Sequence, residues 1–494
     1  MNRGLAPVSA GRLDQSIVLF GSASSFALAA LATKTPAMAI ALALVVVFGI
    51  VFTKHPDLLI PATLVAAFTS VPDFVPTTAA FGGVVFRIYE PLLLISAVYV
   101  AGKYRGFEYR VRGFPLAAAI VLVGVIIGTL NSNPLFRVFT DVRPIVYLLL
   151  GYFVAYKTVR AGLLGPIARA AGYILWVSAA VTVLASLSGF GISNMQSEAA
   201  GSTDEVTRLI GPATYLAVAV LCGTVALAVS GTASLRAMAI WWVPSIPIAG
   251  LTFSRNILIA MVLALAFSLA AARSVRATGK SAVLVASAAG VAVIVYSFVA
   301  VVPEIRAAGW LRRQADGYVA RVLEGVGQYA LAADASTQFR LQQENAYIIP
   351  KIAESPFWGH GFGYAYKPIN TGRSFSEKSE NLQYYAHNFY LWFSVKAGIL
   401  ALLILIIAVV AALVIAARQN GFILFFAGAT VGIAGISLVA PMPLGNPTAV
   451  LTGSLAGGLF GMISAGRHAP RRDAREFQIS PIDKQSRDYL ENVI

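Results

Sequence analysis

A histidine and an asparagine, His387 and Asn388, stand directly before an apolar run that extends to residue 416. An imidazole exchanges a proton near neutral pH, so this histidine could act as a general base. It could equally be an interfacial histidine that hydrogen-bonds a backbone carbonyl. Asn388 could orient the imidazole, but its more frequent role at such a position is to cap the helix that follows.

Arginines offer a second kind of chemistry. Arg255 lies in the stretch FSRN, between two long apolar runs with almost no loop between them. Arg208, in RLIGP, precedes an apolar run on the same predicted side. A guanidinium group forms paired hydrogen bonds with phosphate oxygens, so this arrangement predicts a diphosphate ligand. Arg143 is a further candidate for the diphosphate, although it, Arg87 and Arg137 could also reach lipid headgroups or form an ion pair such as Arg87 with Glu90.

The elements that hold these residues must be membrane helices. The chain has 494 residues, of which 58% are hydrophobic and only 12% charged. Continuous apolar runs long enough for a bilayer core of about 30 Å predict an all-α polytopic membrane protein with about 12–14 spans. The predicted spans are residues 15–33, 36–53, 57–72, 84–101, 114–130, 143–158, 166–188, 211–229, 236–252, 254–273, 281–302, 388–416, 421–440 and 446–465.

The charges between the runs predict the orientation. Lysines and arginines collect in alternate loops, as they do in cytoplasmic loops, and this places both termini in the cytoplasm. The domains predicted from this topology are a cytoplasmic N-terminus (1–14), membrane helices (15–302), one long periplasmic or extracellular loop (303–387), C-terminal membrane helices (388–465) and a cytoplasmic tail (466–494). Within the long loop, Val319, Val322, Leu323 and Val326 share one helical face, so it should carry surface helices.

Composition also narrows the functional class. A large soluble protein would contain shorter apolar runs, and a β-barrel would show alternating apolar and polar residues. The continuous apolar runs of this sequence disfavour both classes. The net charge of +15 is explained by the loop lysines and arginines, so no nucleic-acid partner is expected. Cys222 is the only cysteine, which excludes a disulfide within the chain. A transporter would show polar residues within spans and repeat symmetry. Neither is evident, although transport remains an alternative.

Four stretches together resemble the O-antigen ligase and polysaccharide polymerase superfamily, bacterial membrane glycosyltransferases with a GT-C-like fold. They are RLIGPATYLAV from Arg208, LTFSRNILIAM from Leu251, FRLQQENAYIIPKIAESPFWGHGFG from Phe339 and AHNFYLWFSVKAGILALL from Ala386. Their order, spacing and topology match the family. The resemblance covers roughly residues 205–415, and the N-terminal spans match only in character.

The resemblance implies roles for particular residues. His387 matches the essential histidine of the family, Arg255 the arginine of its tight turn, and Arg340 the arginine of its outer loop. Such enzymes transfer a glycan from undecaprenyl diphosphate to an acceptor hydroxyl, without metal or other cofactor. In this interpretation His387 is the base, Arg255 and Arg340 bind the diphosphate with Arg208 in support, and Gly361 and Gly363 belong to a supporting glycine-rich turn.

The same resemblance predicts the setting of the reaction. The enzyme would lie in the bacterial cytoplasmic membrane with its site on the periplasmic face, and would act in exopolysaccharide or O-antigen biosynthesis. Its partners would be the lipid-linked oligosaccharide donor, a glycan or lipid-linked acceptor, the bilayer, and flippase and chain-length regulator proteins. Polymerisation is preferred to ligation onto a lipid A core or another acceptor, which shares the chemistry.

Two other features keep alternative interpretations. His360, in the stretch GHGFG, could be a second base, although the glycines more plainly predict a turn. Asp204 and Glu205 could bind a metal or act as the base, but a solvated pair of loop charges is the more common role.

Overall fold

Helices make up most of the residues that the structure describes. The computed structural model describes residues 49, 51–81, 84–106, 110–193, 196–199, 207–301, 306–323, 335–368 and 383–466. Residues 1–61 and 62–494 form two compact units. The described part of the first is helical at residues 51–54 and forms a 3-10 turn at Pro56–Leu58. The remaining helices and strands lie in the second unit, except that helix α1 (Leu59–Phe68) begins in the first.

From residue 57 onward the helices follow the predicted apolar runs, except α10 and α11, which lie in the predicted long loop. They are α1 (Leu59–Phe68), α2 (Tyr89–Lys103), α3 (Phe114–Leu130), α4 (Leu135–Arg160), α5 (Leu164–Ser188), α6 (Thr214–Ser230), α7 (Leu235–Gly250), α8 (Arg255–Ala272), α9 (Val275–Val301), α10 (Arg306–Tyr318), α11 (Ala335–Glu354), α12 (Phe389–Ala416), α13 (Ile423–Ile436) and α14 (Asn446–Gly466). Most of the predicted spans 15–33 and 36–53 lies outside the described residues.

Five helices in the described residues are long and apolar enough to cross a membrane: α4, α5, α8, α12 and α14. Helices α1, α3, α6 and α13 are shorter apolar helices. Together with the near absence of strands in the described ranges, these helices confirm the prediction of an all-α polytopic membrane protein. The side of the membrane on which each loop lies stays a prediction.

Two short antiparallel hairpins depart from the predicted helices and loops. Strands β1 (Thr78–Phe81) and β2 (Val84–Arg87) pair directly before α2, with Thr78 opposite Arg87. The span predicted from residue 84 therefore begins only at Tyr89. Strands β3 (Gln196–Ala199) and β4 (Thr207–Ile210) pair before α6. Both hairpins lie next to the start of a helix. Their pairing satisfies the hydrogen bonds of backbone N–H and C=O groups that are not part of the helix.

The predicted long loop contains helices in its described residues, but one of them differs in form from the prediction. Helix α10 ends at Tyr318 and continues as a π-helical turn, Val319–Leu323. Val322 is fully buried there, whereas Val319 is exposed, so the predicted common face of a regular α-helix is wrong at this point. Leu323 keeps its helical backbone without a described side chain, and Val326 lies outside the described residues. A π-turn shifts the residues that follow it to another face of the helix.

Helix α12 is not an ordinary continuous span, because it breaks at Gly398. The backbone of Gly398 has φ 85° and ψ 160°, which is far from helical. Residues 356–363 enter the break, and their backbone groups form hydrogen bonds that replace those lost from the helix. His360 N–H donates to the Val395 carbonyl at 2.9 Å, Gly361 N–H donates to the Lys396 carbonyl at 2.9 Å, and Ile399 N–H donates to the Pro356 carbonyl at 2.7 Å.

The same segment also packs against the turn between α3 and α4. The side-chain amides of Asn131 and Asn133 both donate to the His360 carbonyl at 3.1 Å, and Asn133 also donates to the Phe362 carbonyl at 2.9 Å. Residues 356–363, which we term the glycine wedge, are therefore held on two sides. The glycines of GHGFG provide close backbone contact.

Gly361 gives a sharp test of this packing. Its φ is +81°, and a Cβ atom there would collide with the backbone of Gly128 and lie 2.7 Å from the carbonyl carbon of Ile127. We expect Gly361→Ala to lower the free energy of unfolding by about 2–5 kcal/mol, through strain and overpacking. Thermal unfolding in detergent would measure this. Gly162→Ala is the control, because Gly162 has a φ of +74° but open space around it, and should cost about 1–2 kcal/mol.

Candidate functional site

His387 is held by a carboxylate that the sequence did not suggest. The Glu344 side chain on α11 accepts hydrogen bonds through Oε1 from the His387 ring Nδ1 at 2.7 Å and from the His387 backbone N–H at 2.5 Å. Its Oε2 accepts from the Asn388 backbone N–H at 3.3 Å. The side chain of Glu344 is only 6% exposed, whereas that of His387 is 26% exposed.

This contact indicates which nitrogen of the His387 ring carries the proton. A carboxylate at Nδ1 favours the tautomer that carries its proton on Nδ1, which leaves the lone pair on Nε2. None of the described residues hydrogen-bonds to Nε2. Tyr385 lies edge-on to the imidazole, with ring centroids 5.1 Å apart, and so limits its rotation. The arrangement can therefore accept a proton at Nε2 and stabilise the imidazolium through Glu344, as a carboxylate does in a catalytic triad.

The charge state of Glu344 suits this role. Burial by itself would raise the pKa of Glu344, but the hydrogen bonds from the His387 ring and backbone outweigh it, and the charges of His387 and Lys367 act in the same direction. The net result is a lowered pKa. Glu344 therefore remains ionised throughout the neutral range. Burial lowers the pKa of Lys367, and the nearby Glu344 charge partly opposes that effect.

The negative charge of Glu344 should make the effect of a Glu344 substitution on stability depend on pH. Because the folded-state pKa of Glu344 is lowered, its carboxylate stabilises the folded protein at pH values above the ordinary glutamate pKa of about 4.3. This stabilisation is lost as the pH falls through the folded-state pKa. We expect Glu344→Gln to cost about 1.5–3 kcal/mol at pH 7, since charged hydrogen bonds are lost. Thermal unfolding of both proteins at pH 7 and pH 4 should show the difference shrinking at the lower pH. An equal difference at both values would contradict an ionised Glu344.

Asn388 caps helix α12. Its side-chain oxygen accepts from the backbone N–H groups of Tyr390 at 2.9 Å and Leu391 at 3.2 Å. The capping role is therefore present, and the imidazole is oriented by Glu344 instead. The cap fixes the residue at which the helix begins, and so it fixes the position of His387 directly before the helix. The Trp392 indole N–H donates to the Tyr384 carbonyl at 2.9 Å and so holds the segment before the histidine against the first turn.

Arg208 and Arg255 are brought together by the turn between α7 and α8. Arg208 Nε donates to the Thr252 carbonyl at 2.8 Å, and Leu209 N–H donates to the Leu251 carbonyl at 3.0 Å. Arg255 is the first residue of α8, and its Nε donates to the carbonyl of Arg321 in the π-helical turn at 3.0 Å. Both side chains are thus oriented by backbone carbonyls, beside the positive end of a helix dipole.

These arginines lie at the same end of the bundle as His387. Helix α6, which follows β4 and Arg208, runs antiparallel to α13, because Gly432 packs against Cys222 while Gly428 packs against Ala226. The start of α6 therefore lies beside the end of α13. That end is joined to the histidine segment, since Phe389 N–H donates to the Ser437 carbonyl at 3.0 Å.

Arg340 and Arg143 have different outcomes. Arg340 lies on α11, four residues before Glu344, but its side chain is outside the described set. Arg143 donates to Glu90 at 2.6 Å, to the Tyr147 hydroxyl at 2.9 Å and to the Val85 carbonyl at 3.1 Å. The described contacts place Arg143 in an ion pair between α4 and α2 and do not bring it to His387. The ion pair with Glu90 that the sequence suggested for Arg87 is formed by Arg143.

The other candidates are placed as follows. The His360 ring nitrogen Nε2 bonds the Lys351 carbonyl at 2.8 Å, and the ring stacks on Tyr364 at 4.1 Å. Gly361 and Gly363 belong to the glycine wedge, which is firmly packed. Asp204 and Glu205 lie outside the described residues. Among the residues that are described, no group of three or more histidine, cysteine or acidic side chains could hold a metal ion.

Sequence reasoning missed Glu344, Asp141 and Lys396. A signal existed for two of them, because Lys396 lies inside a predicted span and Asp141 lies just before one. Ionisable residues within membrane segments usually have a partner and a function. For Glu344 the sequence offered only an acidic residue one helical turn after Arg340.

One part of the chain matches a known family. Residues 243–406 match a family model described as O-antigen ligase. The matched segment contains Arg255, Arg340, Glu344, the glycine wedge and His387, while Arg208 and Arg143 precede it. No curated protein matches the chain. Members of this family transfer glycans in the biogenesis of the cell envelope. Residues 243–406 thus match an O-antigen ligase domain, and this match supports a relation to the superfamily of O-antigen ligases and polymerases.

Proposed function

We propose that the protein transfers a glycan from undecaprenyl diphosphate to a sugar hydroxyl at the outer face of the bacterial cytoplasmic membrane, and that it builds a polysaccharide in this way. The observation that carries the proposal is the Glu344–His387 pair, with Nδ1 bound to the carboxylate at 2.7 Å. The resemblance noted in the sequence supplies the donor, and the family match supports glycan transfer.

The chemistry requires a base because a sugar hydroxyl is a poor nucleophile. In the proposed step, the acceptor oxygen forms a bond to the anomeric carbon of the donor while the bond from that carbon to the diphosphate oxygen breaks. The bonding pair leaves with the diphosphate, and the hydroxyl proton moves to Nε2 of His387. Such a single displacement inverts the anomeric centre. General-base assistance typically contributes 10²–10⁴-fold.

The leaving diphosphate requires stabilisation of negative charge rather than a strong acid. Arg255, with Arg208 in support, supplies guanidinium groups at the end of the bundle where His387 lies, and Arg340 belongs to the same helix as Glu344. Preorganised cations of this kind lower the barrier most when they face developing charge. The proposed reaction uses no metal.

The direct test is transfer by the purified protein. It would be reconstituted with radiolabelled undecaprenyl-diphosphate oligosaccharide and unlabelled acceptor, with and without chelator. Polymerisation should yield a ladder of products at unchanged rate in chelator. A single addition to lipid A core would instead support ligation, the second candidate, which the description of the family model favours. Movement of intact donor across the bilayer without a new glycosidic bond would refute transfer.

A further inference from the structure

A second ion pair lies deep in the protein, apart from the proposed reacting groups. Lys396 Nζ on α12 donates to Asp141 Oδ2 on α4 at 2.7 Å, and the two side chains are 0% and 8% exposed. Three aromatic rings surround the ammonium group, those of Tyr366, Tyr384 and Trp392, at 5.3–5.8 Å from their centroids. A buried ion pair adds little stability on average, because desolvation offsets the attraction, so its presence calls for another explanation.

The pair joins three separate segments of chain. Besides Lys396, Asp141 Oδ2 accepts a hydrogen bond from the backbone N–H of Gly363 at 2.7 Å. Lys396 Nζ also donates to the Tyr364 carbonyl at 2.6 Å. Helix α4, the end of the glycine wedge and the first part of α12 are therefore tied at one point. The tie lies directly before Gly398, where α12 is broken.

This tie connects to the elements that carry the proposed base, His387, and its carboxylate partner, Glu344. His387 lies two residues before the first part of α12, residues 389–397, and the glycine wedge begins two residues after the end of α11, which carries Glu344. Ile348 and Ile352 of α11 belong to the same buried cluster as Phe362, Trp392 and Val395. Because α12 is interrupted at Gly398, the second part of the helix does not by itself determine the position of the first part.

We propose that Asp141 and Lys396 are positioning residues, which hold the glycine wedge and the first part of α12 so that Glu344 stays within hydrogen-bond distance of His387. This inference rests on the proposed function. It assigns the pair a role in the rate of transfer rather than in donor binding. Loss of the tie would let the base move, and a displacement of about 1 Å can cost about 100-fold in rate.

The test uses a variant that removes both charges. In Asp141→Asn/Lys396→Met, we expect kcat for glycan transfer to fall about 10- to 100-fold, with the KM for the donor unchanged within about 2-fold. The decisive measurement repeats these substitutions in a Glu344→Gln background. If the pair acts through Glu344, they should lower kcat there by less than about 3-fold, because the effects of residues that act as a unit are not additive.

Matched variants complete the test. Lys351→Met/Glu354→Gln removes an exposed lysine–carboxylate pair of the same 2.7 Å length and should leave kcat unchanged. If the buried double variant does not fold, Asp141→Glu keeps both charges but displaces the tie, and it should lower kcat at constant KM. The inference is overturned if kcat is unaffected, or if the loss is as large in the Glu344→Gln background as in the wild type. Full transfer by His387→Ala would instead refute the proposed base and leave the inference without its foundation.

Discussion

Replacing His387 with alanine should lower kcat for glycan transfer by about 10²–10⁴-fold, the typical contribution of a general base. The reason is specific to the geometry: Nδ1 is bound to Glu344 at 2.7 Å, so Nε2 is the nitrogen that can take the acceptor proton. Binding of the lipid-linked donor should change little, because the diphosphate is assigned to the arginines. Single-turnover kinetics with labelled donor would separate the chemical step from binding.

His360 provides the matched control for this experiment. It is the other histidine of the segment between α11 and α12 within the described residues, but its ring bonds the Lys351 carbonyl and stacks on Tyr364. His360→Gln should therefore reduce kcat by less than about 10-fold, a far smaller effect than loss of a general base. The base assignment is wrong if His387→Ala retains the wild-type kcat, and the base is misidentified if His360→Gln shows the larger loss.

Replacing Arg255 with alanine should lower kcat/KM by about 10²–10³-fold, the range seen when one preorganised donor to developing charge is removed. Arg255 begins helix α8, so the helix dipole adds to its charge, and the Arg321 carbonyl orients its Nε. Arg255→Lys should recover only part of the loss, because an ammonium group cannot form the paired hydrogen bonds of a guanidinium.

The arginine directly after the other end of this helix serves as the control. Arg273 follows the last residue of α8, at the opposite end from Arg255. Arg273→Ala should leave kcat/KM unchanged within about 2-fold, since solvent and salt screen charges over such distances. Steady-state rates over a series of donor concentrations would measure both variants. Equal losses in the two variants would show a general effect of charge on donor recruitment and would contradict a specific site at Arg255.

Several elements followed from local sequence alone. Apolar runs of sufficient length have to form helices in a bilayer, because every backbone polar group must be satisfied within the segment. The bounds of α3 agree with the predicted run 114–130, and α8 agrees closely with 254–273. The cap at Asn388 was also predictable, because an asparagine directly before an apolar run is a local signal that needs no distant partner.

Other elements could not be predicted because distant segments decide them. The break of α12 at Gly398 depends on the glycine wedge, which enters from the preceding loop and supplies replacement hydrogen bonds. The π-helical turn Val319–Leu323 is coupled to the α7–α8 turn through Arg255 and its bond to the Arg321 carbonyl. Arg143 fits the diphosphate prediction by residue type, but the structure places Glu90 beside it.

The sequence by itself determined the class of protein, the order of its helices, and the residue types that the chemistry requires: a histidine before a span and arginines near the same end. These are local properties of composition and spacing. Only the tertiary structure decided which carboxylate serves His387 and which charge neutralises Lys396. Glu344 is 43 residues from His387, and Asp141 is 255 residues from Lys396. No local pattern encodes such pairings, because they arise from helix packing that brings remote segments to the same point.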